Sequence, residues 1–198
     1  MALEIELKAR IDDIEPLQER LAAAGEYRRS YQKSNTYWIP PRAADPEVRV
    51  RRERGTESGG AAYESAVVTL KAKTVSGGIE VNDEREFTVS DAGLFEDMLE
   101  RLGMRRSICK EKNGWAWTIP PGLSAGPAVL AELSLVSRLG WFLELEIICA
   151  DKGGHMVAES RERLLALLAE LKIPASRIED RPYTAMLKAL DAPLNASS

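Results

Sequence analysis

Residues 4–8 read Glu4-Ile5-Glu6-Leu7-Lys8, charged and apolar by turns. In an extended strand, residues i, i+2 and i+4 share one face, so Glu4, Glu6 and Lys8 align on one side while Ile5 and Leu7 face the other. The same spacing returns at Arg49-Val50-Arg51, Lys71-Ala72-Lys73, Glu84-Arg85-Glu86, Lys110-Glu111-Lys112 and Glu144-Leu145-Glu146. One such pair alone reads as a solvated strand face with cross-strand pairing as its role. Six pairs, in a chain of 198 residues whose net charge is only −4, point to a shared environment.

The segments between these pairs set the fold class. Strands are expected near 2–11, 33–40, 47–54, 66–73, 80–89, 105–112, 115–119, 129–136 and 141–150, with turns at Pro40-Pro41 and in the glycine-rich stretch 55–60. Asn113-Gly114, flanked by alternating residues, predicts a tight hairpin between two of them. A first helix, capped by Asp12 or Asp13, carries Leu17, Leu21 and Ala24 and ends at Gly25; a second, capped by Ser90, ends at Gly103. Helical spacing also covers 154–171 and roughly 181–190. In the long C-terminal helix Leu164, Leu165, Leu168 and Leu171 read as core-facing, with a homodimer contact as the alternative. A short echo links Glu19-Arg20-Leu21, Gly25 and Tyr37-Trp38 to Glu100-Arg101-Leu102, Gly103 and Trp115/Trp117, suggesting two similar strand–helix–strand halves. Eight or so mostly antiparallel strands with few helices fit a closed barrel of the α+β class. Residues 1–191 are expected to form one domain, and 192–198 a short polar tail.

Composition narrows the chemistry. Apolar residues make up 44% and charged residues 29%, as in ordinary globular chains. The slight negative charge gives no global basic field for nucleic acid. No apolar run approaches the ~18 residues that suggest a membrane span, and the start lacks the basic and apolar regions of a signal peptide. Cys109 and Cys149 fall out of phase with their strands' charges, which predicts buried, reduced thiols in a cytoplasmic protein. A single histidine, His155, removes most zinc arrangements and the usual Ser-His or Cys-His nucleophiles. Any metal must be held mainly by carboxylate oxygen, which favours Mg²⁺ or Mn²⁺.

If the charged phase of each strand faces a barrel lumen, the lumen holds Glu4, Glu6, Glu84, Glu86, Glu144 and Glu146 against Lys8, Arg49, Arg51, Lys71, Lys73, Lys110 and Lys112. So many enclosed charges are costly unless paired, hydrated or given a charged ligand. Cation pairs and carboxylate pairs also fall on different strands. Arginine grips phosphate oxygens bidentately and lysine supplies a point charge, while carboxylate pairs hold a divalent ion. A polyphosphate chain carrying a divalent ion suits that arrangement.

These residues resemble the CYTH superfamily, the triphosphate tunnel metalloenzymes, which include class IV adenylyl cyclases, thiamine triphosphatases and inorganic triphosphatases. Glu4-x-Glu6-x-Lys8 is similar to the family's N-terminal signature. Residues 31–38, Tyr-Gln-Lys-Ser-Asn-Thr-Tyr-Trp, resemble its Q-x-D-x-Y-F strand, with Asn35 where Asp is usual. Val48-Arg49-Val50-Arg51 resembles L-R-I-R, Thr69-Leu70-Lys71-Ala72-Lys73 resembles T-x-K-x-K, and Glu84-Arg85-Glu86 fits E-x-E. Residues 136–146 match V-x-x-L-G-x-F-x-E-x-E, and Pro182-Tyr183-Thr184-Ala185-Met186-Leu187 resembles the closing S-Y-x-x-L-L helix. Ser134, where Asp often precedes the Val, and Lys112, where Arg is frequent, are departures.

The resemblance implies an eight-stranded antiparallel tunnel with helices outside. On it, Glu4, Glu6, Glu144 and Glu146 are expected to hold the catalytic ion, with Glu84 and Glu86 supporting a second ion or orienting the basic residues. Lys8, Arg49, Arg51, Lys71, Lys73, Lys110 and Lys112 are expected to clamp phosphates. Glu4, Glu6, Lys8 and Tyr183 are the candidate catalytic residues, Tyr183 reaching in from the last helix or else packing as a plain phenol. The leading expectation is a Mg²⁺- or Mn²⁺-dependent enzyme hydrolysing an inorganic, nucleoside or thiamine triphosphate. A class IV adenylyl cyclase is the alternative, and a non-catalytic polyphosphate- or nucleotide-binding module a third. Trp115, Trp117 and Trp141 read as outer-face packing, and Arg105-Arg106 as a solvated strand start.

Overall fold

A computed structural model describes residues 3–42, 47–76, 79–121, 127–149 and 154–191, with the side chains of 71–84 and 154–155 outside the description. In chain order the elements are β1 (Leu3–Ile11), α1 (Glu15–Ala24), β2 (Glu26–Ile39), β3 (Val48–Glu57), β4 (Ala62–Ser76), β5 (Ile79–Thr88), α2 (Ala92–Arg101), β6 (Arg105–Ile119), β7 (Val129–Val136), β8 (Gly140–Cys149), α3 (Gly154–Glu170), a 3-10 turn (Ala175–Arg177) and α4 (Tyr183–Asp191). All eight strands pair antiparallel in the ring β1-β5-β4-β3-β2-β6-β7-β8, which closes through β1 and β8. The expected tail at 192–198 lies outside the described residues.

Exchanging β1–β4 for β5–β8 in order maps this ring onto itself. The first half carries α1 between its first two strands and the second half carries α2. The short sequence echo therefore falls on topologically equivalent segments.

Strand alternation puts hydrocarbon outside the barrel. Ile5, Leu7 and Ala9 of β1, Ala131 and Leu133 of β7, and Leu143, Leu145 and Ile147 of β8 are all fully buried. They pack with Leu17 and Leu21 of α1, with Leu164 and Leu168 of α3 and with Leu171 just after it. Each leucine or isoleucine among them contributes ~1.5–3 kcal/mol through burial. A smaller cluster joins Trp38, Val50 and Val68 to Ala92 and Leu99 of α2. There Glu96, beneath the helix, takes Arg52 Nη2 at 2.5 Å and Trp38 Nε1 at 3.4 Å. Of the four leucines in the long helix, Leu165 alone is exposed, at 42%.

Three local expectations are corrected. Asn113-Gly114 makes no hairpin, because β6 runs unbroken from Arg105 to Ile119. Gly114 faces Tyr31 on one side and Ser134 on the other. A Cβ there would lie 2.2 Å from the Leu133 carbonyl oxygen, so the glycine serves close strand approach and not a turn. Gly55 likewise sits inside β3, its missing Cβ 2.0 Å from the Ser30 carbonyl oxygen, and the turn comes only after Glu57. Cys149 is buried but Cys109 is exposed, with Ser34 Oγ 3.7 Å from its sulfur on the neighbouring strand. Helix starts also differ in detail. Asp91, not Ser90, caps α2 by accepting from Leu94 N–H at 2.9 Å, and α1 starts after Ile14 with Pro16 in its first turn.

The segment before α4 is fastened to β1. Ala9 and Ile178 form an antiparallel bridge, and Glu179 N–H donates to the Lys8 carbonyl at 2.8 Å. The Glu179 carboxylate accepts from Arg181 at 2.7 Å and Arg10 at 3.0 Å, and these bonds hold its pKa down at about 2. This anchorage fixes where the following helix places Tyr183. None of the described helices is long and apolar enough to cross a membrane.

Candidate functional site

The lumen-facing phase of the strands is charged, and its signs are segregated. Glu4 and Glu6 on β1, Glu144 and Glu146 on β8, and Glu132 on β7 come from three adjacent strands. Arg49 and Arg51 on β3, Lys33 on β2, and Lys110 and Lys112 on β6 come from another three. Both groups line one cavity of about 510 Å³, together with Lys8, Tyr37, Glu86 and Tyr183. Register explains the convergence: Glu6 lies opposite Glu146, and Arg51, Asn35 and Lys110 form one cross-strand row.

On the basic side, polar neighbours fix the two arginines. Arg49 donates from Nη2 to Thr69 Oγ1 at 2.9 Å and to Glu86 Oε1 at 3.0 Å, and Thr69 itself donates to Glu86 at 2.6 Å. Arg51 Nε donates to Asn35 Oδ1 at 3.0 Å. Desolvation opposes ionisation of Tyr37, yet Lys110, Arg49 and Arg51 outweigh it and bring the phenol down to about 8. Burial lowers Lys110 to about 8, against the pull of Tyr37. The Tyr183 ring lies within cation–π reach of three ammonium groups, 4.7 Å from Lys110, 4.9 Å from Lys8 and 5.6 Å from Lys112. Its other neighbour is Phe142, edge-on at 5.0 Å. The Tyr183 hydroxyl is buried with no protein partner among the described residues, and burial, then Glu144 and Glu6, pushes its pKa up.

On the acidic side the charges crowd. Glu132 accepts from Lys33 Nζ at 2.6 Å and from the Tyr31 hydroxyl at 3.2 Å, and Lys112 lies 3.7 Å away. Despite burial, those lysines hold the Glu132 carboxyl well below the usual range. Glu144 is engaged by Lys112, whose own pKa rises because Glu144 and Glu132 overcome its desolvation. Glu146 has the opposite surroundings: burial and then Glu4, Glu6 and Glu132 drive its pKa well up. Carboxylates crowded in this way have the donor chemistry that suits a hard divalent ion, whose charge would relieve their repulsion. Among the described residues, no three acidic, histidine or cysteine side chains are already gathered at metal-holding positions. The fit rests on donor chemistry: Glu4, Glu6 and Glu146 would serve together, with Glu144 released from Lys112.

Of the expected site residues, the structure brings Glu4, Glu6, Lys8, Arg49, Arg51, Glu86, Lys110, Lys112, Glu144, Glu146 and Tyr183 to the one cavity. Glu86 stands at its rim, its side chain 43% exposed. Lys71 and Glu84 are cross-strand partners and Lys73 lies two residues on, but the side chains of all three are outside the description. Sequence reasoning missed Lys33, Tyr37 and Glu132 as site residues. Glu132 is one lumen charge in an apolar strand, Val129-Leu130-Ala131-Glu132-Leu133-Ser134, so pairing gave no signal; strand phase alone could have found it. Arg29 and Glu53 extend the network, 3.3 Å apart, with Tyr63 donating to Glu53 at 2.7 Å.

The family model described as CYTH domain matches residues 2–183. The chain belongs to the CYTH family. Several solved structures share the CYTH tunnel fold with it. The PH1819 protein from Pyrococcus horikoshii OT3 is 23% identical with a TM-score of 0.77, over 94% of this chain and 99% of that one. A Vibrio parahaemolyticus protein provisionally assigned as an adenylate cyclase is 19% identical with a TM-score of 0.71, over 94% and 98%. HpAC1 from Hippeastrum, a provisionally assigned adenylyl cyclase described as having a dominant triphosphatase activity, is 14% identical with a TM-score of 0.59, over 96% of each chain. No curated protein matches the chain.

Proposed function

We propose that this CYTH protein is a divalent-metal-dependent hydrolase acting on the terminal phosphoanhydride of a triphosphate. The observation that carries the reading is the opposition of an acidic and a basic wall across one enclosed cavity. Phosphate binding alone needs only the cations; the carboxylates in the same enclosure argue for chemistry on a metal-bound phosphate chain.

Lys8, Arg49, Arg51, Lys110 and Lys112, with Lys71 and Lys73 from β4, bind and align the phosphates. Their charge opposes the negative charge that accumulates on the leaving phosphate as the anhydride opens. Glu4, Glu6, Glu144 and Glu146 hold the ion, with Glu84 and Glu86 as candidates for a second. A bound Mg²⁺ or Mn²⁺ would supply charge neutralisation and orientation of an attacking water. Tyr183, packed over three lysines and with its hydroxyl buried, closes the ring of cations and fixes their positions. The relative from Hippeastrum, with its dominant triphosphatase activity, supports the hydrolytic reading by analogy.

One observation favours class IV adenylyl cyclase as a second reading. Leu130 and Ile148 line the same cavity beside Glu146 and Glu4, and Ile148 is 60% exposed although it lies in the lumen phase. That apolar pair offers an organic group a place to rest. In the cyclase the ribose 3′-hydroxyl attacks the α-phosphorus and pyrophosphate leaves. Incubating pure protein with tripolyphosphate or ATP plus Mg²⁺ or Mn²⁺ and identifying the products separates the readings. Orthophosphate is expected; cyclic AMP with pyrophosphate would establish the cyclase, and binding without turnover a module that only binds.

A further inference from the structure

Asn35 is fully buried in the middle of the basic wall, and both ends of its amide are committed. Oδ1 accepts from Arg51 Nε at 3.0 Å on one neighbouring strand. Nδ2 donates to the Lys110 carbonyl at 3.3 Å on the other. The side chain thus ties β3 to β6 through β2, along the cross-strand row that carries Arg51 and Lys110. It is a neutral acceptor in a place surrounded by cations. A carboxylate would accept from Arg51 equally well, but it would cancel one positive charge of the wall and set an anion against the Lys110 carbonyl. Fixing Arg51 through Nε also leaves its two terminal nitrogens, the planar pair suited to a phosphate, turned away from the asparagine.

Resting on the triphosphate reading above, we propose that Asn35 is a positioning and specificity residue: its neutral amide orients Arg51 and the Lys110 strand while keeping the basic wall's full charge for a highly anionic phosphate chain. The role has two separable parts, orientation and neutrality. Orientation is lost in Asn35→Ala. Neutrality is lost in Asn35→Asp, which keeps the size and the acceptor. A residue that merely holds the fold would give no preference between ligands of different charge.

The experiment is calorimetric titration of tripolyphosphate and, separately, orthophosphate, without divalent metal, into wild type, N35A, N35D, R51Q and the two double variants, with thermal melts to confirm folding. N35D is expected to weaken tripolyphosphate binding about tenfold or more and orthophosphate binding markedly less, since the penalty scales with ligand charge. N35A is expected to lose about threefold, and the loss to shrink towards nothing on the R51Q background, because the asparagine acts through that arginine. Wild-type affinity in N35D, an equal loss for both ligands, or a loss in N35A as large as in N35D would overturn the inference and leave the tunnel reading intact. If N35D does not fold, the cycle between N35A and R51Q decides alone, and additive losses overturn the proposal. Failure of the wild type itself to bind tripolyphosphate would sink the triphosphate reading and this inference with it.

Discussion

The two halves of the barrel occupy equivalent places in the strand ring yet carry different charge. In sequence their first strands, β1 and β5, both carry a Glu-x-Glu pair, whereas β3 carries Arg49 and Arg51 where β7 carries Glu132 and Ser134. The last strands differ most, with Lys71 and Lys73 on β4 against Glu144 and Glu146 on β8. The backbone frame is therefore indifferent to which half carries which sign; the residues set on it alone make the two halves differ. The walls also rest differently. Arg49 and Arg51 are held by Thr69, Glu86 and Asn35, while Glu146 faces other carboxylates. The basic side is organised by the protein's own contacts, and on the proposed reading a divalent cation would complete the acidic side.

If that asymmetry is right, the two walls fail differently. Glu146→Ala should lower turnover of tripolyphosphate with Mg²⁺ or Mn²⁺ by about 100-fold or more, as removal of a central electrostatic group does. Metal-free binding of the same anion should stay the same or tighten, which titration would show. Chelating the metal from wild type should reproduce this pattern. An E146A enzyme with the wild-type rate would remove Glu146 from the site.

One residue away, Leu145→Ala tests the other face of the same strand. It should cost ~2–5 kcal/mol in chemical denaturation through the cavity it leaves. In the folded population the rate per molecule should barely change. A large loss of rate without loss of stability would mean that the two faces of β8 are not separable.

Arg49→Lys probes the basic wall more gently. Loss of the forked donor should raise KM for tripolyphosphate about tenfold while kcat falls much less. A fall confined to kcat would contradict a binding role.

The smallest effect is with pH. Lys110 carries its charge below about 8 and loses it as pH rises through that value, and Tyr37, also near 8, gains negative charge over the same interval. Both changes weaken the wall, so metal-free tripolyphosphate affinity should drop several-fold between pH 7 and 9. Lys110→Arg should remove the lysine's share of that drop and leave the part due to Tyr37. A flat profile in the wild type would show that neither group faces the ligand.

Paired charges made the frame legible in sequence. Glu4/Glu6, Arg49/Arg51, Lys110/Lys112 and Glu144/Glu146 each mark two successive lumen positions, and register then brings them together. What pairing cannot reveal is a single charge supplied to another strand's need, as with Glu132 and Lys33, whose meaning comes from the 2.6 Å contact between them. Local turn propensity also misled at Asn113-Gly114, where long-range strand approach overrides it. Tyr183 was readable as a residue but not as a contact, since the anchorage of Glu179 to β1 that places it spans most of the chain.

The position of the hydrocarbon has a consequence of its own. Because most of the aliphatic packing lies beneath the helices and outside the ring, with a smaller cluster of Val136, Phe142, Tyr183 and Met186 on the lumen phase, the charged part of the bore is free to diverge. Swapping matched sets of bore charges would retune which anion is admitted, and the scaffold would survive so long as no ion is stranded without a counterpart. Such a shell is a tolerant host for new specificities, natural or engineered.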